Sequence, residues 1–150
     1  MPLFKAQIQG LIPHSGEMLL LAQVTALDET SLDAWADGHR DANHPLRVGG
    51  RLPASAGIEY AAQAIATHTA LITEPKPNPP IGYLAVLTGV NWTAPRLDDI
   101  DGRLLVHVTR LSATNGGLLY EFTISGPDGP RVTGRQLIAL MDEEGGFALG

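Results

Sequence analysis

The residues of this chain that suggest a reaction lie between His44 and Gln63, in the stretch HPLRVGGRLPASAGIEYAAQ. A histidine opens it. A loop with Gly49, Gly50 and Pro53 follows, and then a helical pattern holding one carboxylate, Glu59, in an alanine-rich surround. Imidazole titrates near neutral pH and suits a general base. A carboxyl group among apolar neighbours tends to stay protonated and suits a general acid. The pair could take a proton from one atom and give one to another. A helix start at Ala54–Ala56 would add free N–H groups and a positive dipole end for a developing oxyanion.

The other titratable groups are weaker candidates. His39 is the main competitor of His44 and reads as a surface residue. His14 follows Pro13 and reads as fixing the start of a strand, whereas His68 and His107 read as ordinary helix and strand residues. Asp98, Asp99 and Asp101 form a small acidic run, better read as a solvated turn than as a metal site. No glycine-rich loop leads from a strand into a helix, so no nucleotide is implied. No cofactor and no metal is expected.

Composition sets the frame. The chain has 150 residues, 44% hydrophobic and 17% charged, which fits one globular domain spanning 1–150. Net charge is -6, which argues against nucleic acid or an anionic membrane as the main partner. There are no cysteines, so disulfide and thiolate chemistry are excluded. No secretory signal is visible and no run is long enough to span a membrane, so a cytoplasmic location is expected.

The elements that must position the candidates are legible by period. Residues 5–13 read as a short helix, Met18 to Thr25 as a buried strand and Ser31 to Ala36 as a second strand. Residues 37–53 read as loop. Ala54 to Thr73 is the one strong helix, apolar over most of its circumference and so expected to be buried on most sides, with Ser55 as a possible cap. Four prolines end it. Tyr83–Trp92, Arg103–Leu111, Leu118–Ser125 and Arg131–Met141 read as strands separated by glycine turns, with DEEGGFALG as a frayed tail. The order implies an α+β fold: an antiparallel sheet wrapped around one long central helix. Its open sheet edges suggest pairing in a dimer.

With these residues in view, the chain resembles the hot-dog-fold 3-hydroxyacyl-ACP dehydratases. Three patches carry the likeness: LIPHSGEMLLLAQV at 11–24, the His44–Gln63 stretch, and Gly89 to Asp99. In that family a loop His precedes a Pro, then a helix with an acid and, four residues on, a Gln; Pro53, Glu59 and Gln63 fit. Within the family the chain is most similar to the small dehydratase-like subunits of aryl polyene and related polyketide pathways. The resemblance implies removal of water from a 3-hydroxyacyl thioester carried on an acyl-carrier protein. His44 and Glu59 would be the catalytic pair, and Pro53, Ala54, Ser55 and Gln63 would contact substrate. It also implies a homodimer or a heterodimer with a second hot-dog subunit. Two departures stand out. His44 lies one position further from Glu59 than is usual, and Ala54 replaces the family's glycine after the proline.

These departures favour a non-catalytic subunit beside an active one as the alternative. An acyl thioesterase on the same fold is a third reading. Arg40, Arg47, Arg51 and Arg96 are candidates for a basic patch that docks an acidic carrier protein.

Overall fold

The computed structural model describes residues 3–12, 16–73, 81–114 and 116–141. Pro13, His14, most of the proline-rich segment and the tail DEEGGFALG lie outside them, and so do the readings made of them. Seven strands form one antiparallel sheet: β1 (Leu3–Phe4), β2 (Gln23–Leu27), β3 (Ser31–Ala36), β4 (Ile81–Trp92), β5 (Leu104–Thr114), β6 (Gly117–Gly126) and β7 (Gly129–Met141). Their spatial order is β1-β2-β3-β5-β6-β7-β4. The short helix α1 (Lys5–Gln9) follows β1, and the long helix α2 (Gly57–Ile72) packs across β3, β5 and β6.

Alternation explains the sheet's inner face. Leu104, Val106 and Val108 of β5 are buried, as are Leu118, Tyr120, Phe122 and Ile124 of β6, while the residues between them face outward or are only half-buried. The helix answers with Tyr60, Ala61, Ala64 and Ile65. Gly57 lets its first turn approach closely: a Cβ there would lie 3.2 Å from Ile124 and from Val132. Burying each large side chain contributes roughly 1.5–3 kcal/mol.

The α+β reading and the single central helix hold, and the strand expected at 31–36 forms over those residues. The other boundaries moved in instructive ways. The expected helix at 5–13 ends at Gln9. The strand expected from Met18 begins at Gln23, because the Met18 carbonyl and the Leu20 N–H bond to the Gln63 side chain instead of a neighbouring strand. Leu19, Leu20 and Leu21 are buried all the same. The long helix starts as a 3₁₀ turn at Ala54–Ala56, preceded by Pro53, and Ser55 sits inside this turn and does not cap it. The helix is buried over most of its circumference, as expected, and no residue from Gly57 to Ile72 is fully exposed. Ile58, Glu59, Ala62, Ala66, Thr69 and Ala70 make a half-exposed stripe along it.

One edge of the sheet is unusual. In β4, residues 82–89 are all exposed, on both faces of the strand. Tyr83, Leu84, Val86 and Leu87 are among them. Its only strand neighbour among the described residues is β7.

Candidate active site

The loop carrying His44 is held by its own arginine. Arg47 donates to three carbonyls, those of Asp41 (2.7 Å), Gly50 (2.7 Å) and Arg40 (3.0 Å). Gly49 and Gly50 supply the left-handed backbone the turn requires, with φ of 59° and 78°. Asp98 anchors the loop's far end by accepting the Leu52 N–H at 3.1 Å while it pairs with Arg96. The Arg96 guanidinium holds the Asp98 carboxyl far below the ordinary carboxylate range.

This framework buries His44 against the helix. Its Nε2 lies 2.9 Å from the Tyr60 hydroxyl, and its Nδ1 accepts the Leu46 N–H at 3.1 Å. Burial pushes the ring's pKa down, and the nearby Arg47 charge adds to this against an opposing pull from Asp41. The neutral ring carries one proton. Because Nδ1 accepts, that proton is on Nε2, and His44 donates it to Tyr60. Tyr60 is itself fully buried, and its phenol is pushed well above the usual tyrosine range by burial, with Asp37 adding to this.

Glu59 and Gln63 meet as their spacing suggests. The Gln63 amide donates to Glu59 Oε1 (3.2 Å) and to the Met18 carbonyl (2.7 Å), and its oxygen accepts the Leu20 N–H (2.8 Å). Gln63 is fully buried, so it pins the segment before β2 to the helix and orients Glu59 together. Glu59 lies on the half-exposed stripe. Tyr60, one residue on, is turned about 100° around the helix axis. The hydrogen bonds of His44 therefore lead to the neighbouring residue, on another face, and not to Glu59.

The helix start differs from expectation. The Ala54 N–H donates to the Pro95 carbonyl at 2.9 Å, and the Ala56 N–H to the Pro53 carbonyl at 3.0 Å. Two of the three N–H groups expected to face an oxyanion are thus taken. Ala54 is buried, Pro53 is half-buried and forms a bridge with Arg96, and Ser55 is exposed.

A cavity of about 170 Å³ opens beside the histidine. Leu19, Leu20 and Leu21 form one wall, the Asp37–Gly38 and Asp41–Pro45 segments another, and Tyr60 also lines it. Sequence reasoning missed Tyr60 because it counted as one more apolar residue of the helix. Its position beside the lone carboxylate was the available signal.

Other candidates resolve differently. His39 is buried, not superficial, with Nε2 2.9 Å from the Ile100 carbonyl. His68 is also buried: Nε2 donates to the Asp28 carbonyl (3.0 Å) and Nδ1 accepts from Tyr120 (2.5 Å). His107 pairs across the sheet with Asp33. The acidic run is ion-paired: Asp98 with Arg96, Asp99 with Arg131, Asp101 with Arg40. These pairs, and the bonds of Arg47 to carbonyls, leave Arg51 as the one residue of the four-arginine patch without a side-chain partner among the described residues.

A long antiparallel sheet around one central helix is the hot-dog fold, and solved structures of that fold match this chain. A dehydratase heterocomplex, ApeI:P from Xenorhabdus doucetiae, superposes with a TM-score of 0.79 at 23% identity, over 92% of this chain and 93% of that one. A mutant thioesterase from Pseudomonas aeruginosa matches at 0.63 and 20% identity, over 91% and 93% of the two chains. A Haemophilus influenzae thioesterase matches at 0.67 and 13%, over 93% and 92%. No curated protein matches the chain. Residues 6–140 match the ApeP dehydratase family, and the chain belongs to that ApeP-like family. No helix among the described residues is long and apolar enough to cross a membrane.

Proposed function

We propose that the protein is a 3-hydroxyacyl-acyl-carrier-protein dehydratase subunit that eliminates water from a 3-hydroxyacyl thioester to give the 2-enoyl thioester, in polyketide, aryl polyene or fatty acid assembly. The observation that carries this reading is the burial of His44 against the helix turn that bears Glu59, in a member of a dehydratase family. Elimination moves the C2 proton to a base and supplies a proton to the departing hydroxyl. His44 and Glu59 are the groups around which that chemistry is organised, with Gln63 orienting the carboxyl group and the Pro53–Ser55 turn flanking it. The half-exposed alanine stripe gives an acyl chain an apolar wall beside Glu59.

The assembly is a dimer with a second hot-dog subunit, a like or an unlike one. Support comes from β4, whose two exposed apolar faces and open edge need covering, and from the similarity to a subunit of a dehydratase heterocomplex. A second reading has its own support. Both ring nitrogens of His44 are already engaged and the Ala54 N–H is taken, which fits a subunit whose partner provides the reacting groups.

The test is the ultraviolet absorbance of enoyl thioester formed from 3-hydroxybutyryl-acyl-carrier protein. Wild type, His44→Ala and Glu59→Gln are compared, alone and with the second subunit. Turnover by wild type that falls by roughly 10²-fold or more in either variant supports the dehydratase. Unchanged turnover in both variants points to the silent subunit, and release of free thiol without enoyl product points to a thioesterase.

A further inference from the structure

We infer that His44 acts through Tyr60: it is a positioning residue that donates its Nε2 proton to the Tyr60 hydroxyl, and the Glu59 carboxylate takes the C2 proton and returns it to the hydroxyl that leaves C3 as water. The inference rests on the dehydratase reading and assigns a role within its site. The argument is one of counting protons. A base needs a free lone pair on the nitrogen that meets the substrate. The Leu46 N–H occupies the only lone pair of the neutral ring, at Nδ1. The other nitrogen holds the proton and gives it to Tyr60 at 2.9 Å. The Leu46 bond is a short-range consequence of the loop: Leu46 is two residues from His44, and the turn that sets its N–H is tied down by Arg47. To become a base, the ring would have to lose the Leu46 bond, move its proton to Nδ1 and part from Tyr60, all inside a buried setting where unmade hydrogen bonds are costly.

The arrangement also leaves the Tyr60 hydroxyl oriented. Its oxygen accepts from His44, so its own hydrogen must point elsewhere, and no described residue accepts it. Tyr60 lines the cavity whose other walls include Leu19 and Leu21, with Asp37 and Asp41 nearby. Burial, and after it the Asp37 charge, disfavours an anion there.

Amide side chains separate a donor from a base. Glutamine places an N–H near the position of the imidazole Nε2 but cannot take up a proton at neutral pH. The experiment compares His44→Gln, His44→Ala and Tyr60→Phe in whichever assembly, alone or with its second subunit, turns over 3-hydroxybutyryl-acyl-carrier protein. The expected result is that His44→Gln stays within about threefold of wild type, whereas His44→Ala and Tyr60→Phe each lose roughly tenfold or more in kcat, within the range ascribed to a misplaced polar group. His44→Gln as inactive as His44→Ala would overturn the inference, and so would Tyr60→Phe at wild-type rates. Nitrogen NMR of the His44 ring reads the same question without turnover. A proton on Nε2, slow to exchange in wild type and fast in Tyr60→Phe, is expected; a proton on Nδ1 instead overturns it. If wild type shows no turnover in any assembly, the dehydratase reading has failed, and the NMR result still decides the proton's place.

Discussion

At the scale of single residues, Gln63 is the most heavily used side chain of the site. One amide satisfies the Met18 carbonyl, the Leu20 N–H and Glu59, all from a fully buried position. Replacing it by alanine leaves two backbone groups without partners and removes one of the bonds that orient Glu59. A buried orphan costs about 1–3 kcal/mol, so Gln63→Ala is expected to lose roughly 2–5 kcal/mol in urea unfolding, together with most dehydratase turnover. A loss below about 1 kcal/mol would mean that water or a neighbour replaces the amide. The Glu59–Gln63 contact was legible in advance because residues four apart share one helix face. The bond from His44 to Tyr60 was not. It joins a loop to a helix across a separation that only the Arg47-braced turn determines.

Among the elements, α2 carries two buried histidine contacts that tie it to the rest of the fold. His68 joins it to β6 through Tyr120 and to the β2–β3 turn through the Asp28 carbonyl. Burial is the main cause that lowers the His68 pKa, as it does for His44. The unfolded chain therefore binds protons more readily at these sites, near the ordinary value of about 6.5. Their contribution to stability is complete above that value and diminishes as pH falls below it. Protonation would also remove the Nδ1 acceptor that Tyr120 uses. The urea midpoint is expected to drop between pH 7.5 and pH 5.5, before the carboxylates titrate. A midpoint that stays flat over that interval would show that the two rings titrate alike folded and unfolded. The histidine's place in a helix was readable from sequence, but its partners were not, since Tyr120 and the Asp28 carbonyl lie 52 and 40 residues away in the chain.

At the scale of the whole molecule, β4 is the element on which the proposed dimer rests. Its position at the sheet edge, beside β7 and far from β3, leaves a twelve-residue strand with apolar side chains exposed on both faces. A charge there blocks edge pairing more than it harms the monomer, because Val86 is exposed already. Val86→Lys is expected to shift the protein from dimer towards monomer in light scattering, with its thermal midpoint at low concentration little changed. A variant that remains dimeric would move the interface away from β4.

What the chain alone determined was whatever depends on neighbours in sequence: the long helix from its apolar period, the β5–β6 and β6–β7 hairpins from alternation broken by Asn-Gly-Gly and Gly-Pro-Asp-Gly, and the pairing of Glu59 with Gln63. These follow from backbone geometry that operates over a few residues. The tertiary structure decided the rest. It set β4 at the edge, withdrew the Ala54 N–H to Pro95, delayed the start of the strand predicted over Met18 to Thr25 by bonds to Gln63, and turned His44 towards Tyr60. Each of these depends on which distant polar group reaches a backbone or ring nitrogen first, and hydrogen bonds of that kind have no period for a sequence to display.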